Sequence, residues 1–344
     1  MARKVLIVAV AGALALTACG GGRAASGGAK QLTVVMWGGD DQKRAVAAYV
    51  EPWAKAQGVT VKQDSPTDYA KFRAQVESKQ VSWGVVEVEP NFAENACKNG
   101  WAVKLDKVDT SPVKKELVGP CAVPTLEYAF TIGYNTKAFP TTHPKTWAEF
   151  FDTRKFPGKR GFWKYATGAM FEAALLADGV PADKLYPLDL DRAFRKLDTI
   201  KKDIVWYETG EEQQQLISSG EVSAIQAWNG RIFAAQQEGQ PVANEWNQHL
   251  LSYDQLVIPA GSKSAELAQQ WLDHYLKDTK GQAAYADFTG YAPVNAKALD
   301  LIKPEVRKEL PNAHESQRAA IMNYSYWAEN YDKVTARMNE WMAK

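Results

Sequence analysis

The sequence predicts an α/β protein with two lobes and a cleft between them. Short runs rich in β-branched and aromatic residues alternate with segments of helical periodicity, the pattern of parallel sheets flanked by helices. The alternation occurs in two successive units and is followed by a mostly helical tail. The stretch from Gln31 to Lys344 is long for a single core and comfortable for two.

The first unit opens with an apolar strand at 32–36, which ends at the Trp-Gly-Gly sequence that begins with Trp37. Asp40 or Asp41 can cap the helix that follows, in which apolar residues recur at helical spacing up to Trp53. The unit also contains predicted strands at 59–62 and 85–88 and a predicted helix at 69–78.

The second unit again alternates predicted strands with predicted helices, and the tail is mostly helical. Glycines and prolines separate these elements. Strands are predicted at 128–134, 160–163, 204–207, 222–228 and 255–258, and helices at 168–177, 191–201, 213–219, 265–276, 281–288 and 323–342.

We assign residues 31–134 and 259–344 to the first lobe and residues 135–258 to the second, with hinge strands near 133–135 and 254–259. Ligands in open α/β sheets bind beyond the carboxyl ends of the strands. The predicted cleft between the lobes is therefore the place to look for a binding site.

The N-terminus has the form of a secretory signal, with a short basic start, an apolar run at 5–16 and small residues after it. The run is too short to span a bilayer, which needs about 20 apolar residues. The Leu-Thr-Ala-Cys sequence that ends at Cys19 resembles the bacterial lipobox. We predict a signal peptide at 1–18, a lipid on Cys19 and a flexible linker at 19–30. The alternative is a plain signal peptide cut at another small residue.

Charge and composition narrow the range of partners. The formal net charge is +1, so nothing in the charge balance favours nucleic acid. The chain contains 12 tryptophans, 14 tyrosines and 12 phenylalanines. This excess favours an aromatic-lined ligand site, because flat rings hold small ligands and cations.

Three cysteines are present. With Cys19 assigned to lipid, Cys97 and Cys121 remain, and an even remainder in an exported protein predicts a disulfide. Two free thiols are the alternative. Two cysteines and four scattered histidines do not form a structural zinc site, so we predict neither metal nor cofactor.

Sequence motifs of catalysis are missing. The chain has no Gly-x-Ser-x-Gly elbow, no phosphate-binding Gly-Lys-Ser/Thr loop and no His-Glu-x-x-His pair. This favours binding without catalysis. Two alternatives stay open: a hydrolase with a carboxylate pair in its cleft, and a ferric-ion binder, for which no tyrosine pair is evident.

A series of short sequences, in fixed order, carries a resemblance. They are Met36-Trp-Gly, Asn99-Gly-Trp, Ile132-Gly-Tyr-Asn, Trp147-Ala-Glu-Phe-Phe, Trp228-Asn-Gly, Asp254-Gln-Leu-Val-Ile-Pro and Gly290-Tyr-Ala-Pro-Val-Asn. Together they resemble the extracellular solute-binding proteins of ABC importers, in the branch that includes spermidine and putrescine binders. The resemblance implies a two-lobe periplasmic-binding-protein fold, an extracytoplasmic location and delivery of the solute to permease subunits in the membrane. We predict a monomer.

Within this branch the sequence is most similar to γ-aminobutyrate-binding members, through the runs at 164–169, 172–180 and 246–248. The resemblance implies that Arg231 holds a carboxylate and Asp254 an amine. Arginine offers a planar fork of donors to a carboxylate, and aspartate accepts from an ammonium. A surface salt bridge is the alternative role for Arg231. We predict a small zwitterionic ligand, with a cationic polyamine as the alternative and an anionic or phosphonate ligand as a third option that Arg231 permits.

Further ligand contacts are predicted near these two charges. Trp228 can lie over the amine as a cation–π partner. The other candidates are residues beside predicted strands, in the matching runs or in the tail, namely Trp37, Gly38, Glu89, Thr167 and Tyr291.

Overall fold

A ten-stranded sheet runs through residues 30–344, the part of the chain that the computed structural model describes. The predicted signal peptide, Cys19 and the linker up to residue 29 lie outside the described residues. The strands are β1 (Gln31–Val35), β2 (Thr60–Asp64), β3 (Val85–Val88), β4 (Ala122–Asn135), β5 (Arg160–Trp163), β6 (Ile204–Tyr207), β7 (Ala224–Trp228), β8 (Val242–Val257), β9 (Ala292–Pro293) and β10 (Arg318–Ile321).

Helices cover the sheet. They are α1 (Gly39–Ala45), α2 (Glu51–Gln57), α3 (Tyr69–Glu77), α4 (Pro90–Lys98), α5 (Trp147–Phe150), α6 (Met170–Ala177), α7 (Leu190–Asp198), α8 (Gly210–Ser219), α9 (Asn229–Gln237), α10 (Ala265–Lys277), α11 (Thr279–Thr289), α12 (Pro304–Arg307) and α13 (Tyr324–Ala343). A π-helical stretch at Val46–Val50 joins α1 to α2. Short 3-10 turns lie at Lys115–Leu117, Ala182–Lys184, Lys201–Asp203, Ala296–Leu301 and Pro311–Gln317.

The sheet has the order β2-β1-β3-β8-β4-β7-β5-β6 and divides into two halves around two long strands. On one side β1, β2 and β3 are parallel, and β3 pairs with the end of β8. On the other side β5, β6 and β7 are parallel, and β7 pairs with the end of β4. The antiparallel strands β4 and β8 pair along most of their length and connect the two half-sheets. This is the predicted two-lobed α/β class.

The sequence fixes several helix starts through side-chain caps. Thr209 and Glu212 form a reciprocal capping box at the start of α8, and Gly220 ends this helix in the left-handed conformation. Asp68 caps α3 by accepting from the backbone of Lys71. The start of α8 faces the other lobe, so its cap also positions a wall of the site described below.

The last helix contacts both half-sheets. The Asn95 side chain of α4 donates to the carbonyl of Ala328 in α13, at 2.9 Å. At the other end of α13, the indole Nε1 of Trp341 donates to Oδ1 of Asp198 in α7, at 2.7 Å. The lobe boundaries at 134/135 and 258/259 stay a prediction, and the tail belongs to neither half-sheet alone.

A disulfide joins Cys97 and Cys121. It ties the end of α4 to the residue before β4 and closes a loop of the first lobe. Cross-linking a loop of this length typically stabilises a fold by about 3 kcal/mol, through the unfolded state. Among the described residues, no helix is both long enough and apolar enough to cross a membrane.

Candidate functional site

A cavity of about 300 Å³ lies between the half-sheets. Most of its wall follows the carboxyl ends of the parallel strands β1, β3, β5, β6 and β7, as expected for an open α/β sheet. The lining residues are Trp37, Asp41, Pro66, Thr67, Glu89, Leu126, Tyr128, Trp163, Tyr165, Glu208, Thr209, Gly210, Glu211, Trp228, Arg231, Asp254 and Tyr291.

Asp254 is a buried carboxyl near the end of β8. Its Oδ2 accepts from the indole Nε1 of Trp37 at 2.8 Å, whereas its Oδ1 has no hydrogen-bond partner among the described residues. Burial raises the pKa of Asp254, and the nearby charge of Glu89 raises it further. The indole of Trp37 opposes this rise. A cation in the cavity would satisfy the free oxygen and favour the ionised carboxylate.

Glu89 is the second buried carboxyl of the cavity and immediately follows β3. Its Oε2 accepts from the Tyr69 hydroxyl at 3.3 Å, and its Oε1 is buried without a partner in residues 30–344. Burial raises the pKa of Glu89 to about 7, and the hydrogen bond from the Tyr69 hydroxyl opposes the rise. The cavity thus has an acidic end where two carboxyls each keep one unpaired oxygen.

Arg231 lies in the first turn of α9, one helical turn after the end of β7. Its side chain is 15% exposed and packs over Gly210, where any side chain would overlap the guanidinium. Nη1 donates to Glu211 at 3.1 Å. Burial lowers the pKa of Arg231, but Tyr291, Asp41 and Glu211 outweigh burial and leave the pKa above its usual value. The guanidinium is therefore a permanent cation inside the cleft.

The salt bridge that was the alternative role for Arg231 is present, and the ligand role stays a prediction. The residue does form a salt bridge, with a Glu211 side chain that is 58% exposed. The guanidinium itself lines the cavity rather than the outer surface. A guanidinium has five N–H donors, so the single bond to Glu211 leaves most of them for a ligand.

Aromatic rings form the wall next to Arg231. Trp163 stacks on Tyr165 at 4.8 Å between ring centroids and meets Trp228 edge-on at 4.6 Å. Tyr291 and Tyr128, which also line the cavity, pack edge-to-face at 6.0 Å. Apolar rings exclude water, and they present π faces to any cation held in the cavity.

The two lobes touch over the cavity. Glu211, at the start of α8 in the second half, packs so closely on Gly39 of α1 that a β-carbon at Gly39 would overlap its carboxylate. Asp41, also in α1, is near enough to contribute to the pKa of Arg231. The described structure is therefore a closed arrangement of the lobes.

Of the eight predicted ligand contacts, six line the cavity: Arg231, Asp254, Trp228, Trp37, Glu89 and Tyr291. Thr167 lies behind Glu89, fully buried, with a hydroxyl that has no partner among the described residues. Gly38 lies in the turn between β1 and α1 with φ of +94° and packs against Ser65. Both stand behind the wall rather than in it. That these residues contact ligand stays a prediction.

Several lining residues were not predicted. The sequence indicates Asp41 only as a possible helix cap, and it assigns no role to residues 208–211. Their positions could have indicated a place in the site, because each residue follows the carboxyl end of a parallel strand. Trp163 and Tyr165 could not be separated from core residues by sequence, because buried and cleft-lining aromatics have the same local pattern.

No group of three or more His, Cys, Asp or Glu side chains suited to a metal ion occurs within residues 30–344. The charged groups of the cavity instead suit an organic ion with a negative and a positive end. A two-lobed α/β protein that closes over such a cavity belongs to the class of small-molecule receptors.

Comparison with known proteins identifies the family. The sequence profile of the bacterial extracellular solute-binding proteins matches residues 48–313, so the chain belongs to this family. It is a binding protein of an ABC transporter rather than an enzyme, and it acts outside the cytoplasm together with a membrane permease. The predicted family, fold and non-catalytic role are confirmed.

Three relatives illustrate the similarity. The γ-aminobutyric acid-binding protein of Pseudomonas aeruginosa is 32% identical over 307 residues, covering 86% of each chain. The solved structure of the Atu4243-GABA receptor is 42% identical, with a TM-score of 0.86 over 92% of this chain and 98% of that chain. The spermidine/putrescine-binding periplasmic protein of Escherichia coli K12 is 23% identical over 313 residues, covering 83% and 87% of the two chains.

Proposed function

We propose that this receptor captures γ-aminobutyrate or a closely related ω-amino acid. One observation carries the proposal: a buried guanidinium and a buried carboxyl, Arg231 and Asp254, line the same closed cavity. A pair of opposite charges selects a ligand that is itself a zwitterion, and the space between them selects its length. The two γ-aminobutyrate-binding relatives support the same ligand class.

Each end of the ligand finds a distinct partner. The ligand carboxylate accepts from the free N–H groups of Arg231, whose planar fork matches a carboxylate. The ligand ammonium donates to Oδ1 of Asp254, which is otherwise unpartnered, while Oδ2 is held by Trp37. Trp228 lies in the same wall and offers a π face to the cation.

Titration calorimetry with a ligand panel tests this function. The panel contains γ-aminobutyrate, butyrate, butylamine, putrescine and an α-amino acid. We expect γ-aminobutyrate to bind at least about a hundredfold more tightly than butyrate or butylamine, because each of these leaves one buried charge unpaired. Equal affinity for butyrate, or binding of none of the five compounds, would contradict the proposal.

A polyamine is the second candidate, supported by the E. coli relative. The acidic end of the cavity suits an ammonium, and Asp41 and Glu211 add negative charge at the other end. Arg231 lies between these two acids and repels a second ammonium. Tight putrescine binding without γ-aminobutyrate binding would reverse the order of the two candidates.

Binding of the zwitterion is expected to depend on pH through Glu89 and Asp254. Burial raises the pKa of both carboxyls, that of Glu89 to about 7, so protonated forms are populated in the empty cavity near neutrality. An ammonium favours the ionised forms and releases protons when it binds. The affinity should therefore rise with pH from 6 to 8, by on the order of tenfold.

Calorimetry in two buffers of different ionisation enthalpy measures this proton release. We expect the apparent enthalpy at pH 7 to differ between buffers in proportion to the protons released. A flat affinity between pH 6 and 8, with no buffer dependence, would contradict the charge assignment.

We further propose that the lobes rotate about the middle of β4 and β8. Residues 130–134 of β4 pair with β7, and residues 255–257 of β8 pair with β3. The stretch of β4 between residues 124 and 129 is not tied to β7, and its register against β8 shifts beside Pro124. The hinge positions predicted near 133–135 lie within the paired part of the second half-sheet. Small-angle scattering should show a smaller radius of gyration with γ-aminobutyrate, whereas an unchanged radius would contradict this motion.

We also propose that the mature receptor is a monomer held to the membrane by lipid on Cys19. In the native bacterium the Cys19→Ser chain should fail to incorporate labelled fatty acid, and the processed protein should leave the membrane fraction. Wild-type protein provides the control. Equal membrane retention of the two would show that another feature anchors the chain.

A further inference from the structure

The acidic end of the cavity holds more acceptors than one primary ammonium needs beside Asp254. Asp254 and Glu89 each have one oxygen engaged, by Trp37 and Tyr69 respectively, and one oxygen buried without a partner among the described residues. A buried acceptor that is left unpaired destabilises the folded protein. Two such oxygens in one cavity therefore point to a ligand that donates to both.

The two carboxyls come from different elements. Asp254 belongs to β8, and Glu89 follows β3, the neighbouring strand of the sheet. Each lines the cavity and is at least nine-tenths buried, at 6% and 2% exposed. An ammonium is a compact cation, whereas a guanidinium spreads five N–H donors over a planar fork and can bond two separate carboxylates at once.

Shape and surroundings favour a planar cation as well. Trp37 lies edge-on to Tyr69 at 6.3 Å, and Trp163, Tyr165 and Trp228 form an aromatic cluster that lines the same cavity. Guanidinium groups stack on aromatic faces and are more weakly hydrated than ammonium groups, so they enter such a site at lower desolvation cost. A cavity of about 300 Å³ also has room for a ligand longer than γ-aminobutyrate.

We propose that Glu89 and Asp254 form a guanidinium subsite, so that the receptor takes ω-guanidino acids such as 4-guanidinobutyrate. This rests on the proposed function, because Arg231 holds the carboxylate of either ligand. The guanidinium donates to Oδ1 of Asp254 and Oε1 of Glu89 at the same time. Glu89 thus determines specificity between the guanidino acid and the amino acid.

Titration calorimetry on the mature chain tests the subsite with 4-guanidinobutyrate and γ-aminobutyrate. We expect the guanidino acid to bind wild-type protein at least as tightly as the amino acid. Glu89→Gln should weaken the binding of 4-guanidinobutyrate by about a hundredfold. It should also shift the ratio of the two affinities at least tenfold toward γ-aminobutyrate. Glu149→Gln is the matched control, since this carboxylate of α5 pairs with Lys155 at 2.7 Å and is not among the residues that line the cavity, and it should leave the ratio within twofold.

Three outcomes would overturn the inference. Wild-type protein that binds γ-aminobutyrate but binds 4-guanidinobutyrate more than tenfold more weakly overturns the guanidinium subsite alone. If Glu89→Gln weakens the binding of both ligands equally, Glu89 does not determine the specificity between them. If neither compound binds wild-type protein, the proposed function fails together with the subsite. Circular dichroism confirms that each variant is folded before its affinity is compared.

Discussion

Replacing Arg231 with alanine is expected to weaken γ-aminobutyrate binding by at least about a hundredfold, because truncating one partner of a buried charge pair costs about 2–5 kcal/mol. The guanidinium lines the closed cavity, and most of its donors are free for the ligand carboxylate. Arg231→Lys keeps the charge but loses the planar fork, so it should recover only part of the affinity.

The matched control for this prediction is Arg192→Ala. Arg192 lies in α7, pairs with Asp178 at 2.6 Å and is 37% exposed, away from the cavity. Its removal should leave the affinity for γ-aminobutyrate within about twofold, because exposed ion pairs contribute little. If Arg231→Ala bound the ligand as tightly as Arg192→Ala, the salt bridge with Glu211 would be the whole role of Arg231.

Replacing Asp254 with asparagine is expected to have two opposite effects. Binding should weaken by at least about a hundredfold, since the ammonium loses its counter-charge inside a dry cavity. The ligand-free protein should become more stable at pH 8 than wild type. Burial and Glu89 raise the pKa of Asp254 above that of the unfolded chain, so the ionised form is disfavoured in the folded state.

The sign of the stability effect follows from linkage. Between the pKa of aspartate in the unfolded chain and its raised pKa in the folded protein, the unfolded chain is ionised while the folded protein still holds its proton. A rise in pH over this interval therefore stabilises the unfolded chain relative to the folded protein. The free energy of unfolding of wild type therefore falls over this interval, whereas Asp254→Asn does not titrate. Urea unfolding at pH 5 and pH 8 should show a variant advantage, on the order of 1–3 kcal/mol, that grows with pH.

Two results would contradict this prediction. One is a ligand-free Asp254→Asn protein that is less stable than wild type at pH 8, which would show that Asp254 is a structural carboxylate. The other is unchanged affinity for γ-aminobutyrate. Glu149→Gln again serves as control, because its side chain pairs with Lys155 and does not line the cavity.

Most of the secondary structure could be predicted from local sequence. Strands such as β3 and β5 have the predicted bounds, because short β-branched runs between clear breaks leave little choice. Two helices were missed for the same local reason. No helix is predicted at α4 or α9, because proline and glycine commonly mark breaks. Pro90 nevertheless occupies the first turn of α4, where its missing N–H costs nothing. Asn229 and Gly230 begin α9.

The two long strands could be predicted only in part. Residues 128–134 and 255–258 were predicted as strands, but β4 begins at Ala122 and β8 at Val242. The early part of β8 carries polar residues on a half-buried face, so its pattern does not separate it from a loop. Its partner is β4, more than 100 residues away, and long-range pairing of this kind leaves no local signal.

The residues of the site likewise divide into those that the sequence predicts and those that it does not. Arg231 and Asp254 could be predicted because the sequence around them resembles that of γ-aminobutyrate binders. Glu211 and Asp41 could not, since their role depends on contact between α8 and α1 across the cleft, which is a tertiary feature without a local sequence signal. The unpaired oxygens of Asp254 and Glu89 are also a tertiary property, because burial and partner geometry decide them.

A crystal structure of the mature receptor with bound γ-aminobutyrate tests the central claim most directly. We expect the ligand carboxylate oxygens about 3 Å from the guanidinium nitrogens of Arg231 and the ligand nitrogen about 3 Å from Oδ1 of Asp254. A ligand bound in the reverse orientation, or elsewhere in the cleft with both side chains uninvolved, would contradict the assignment of opposite charges to its two ends.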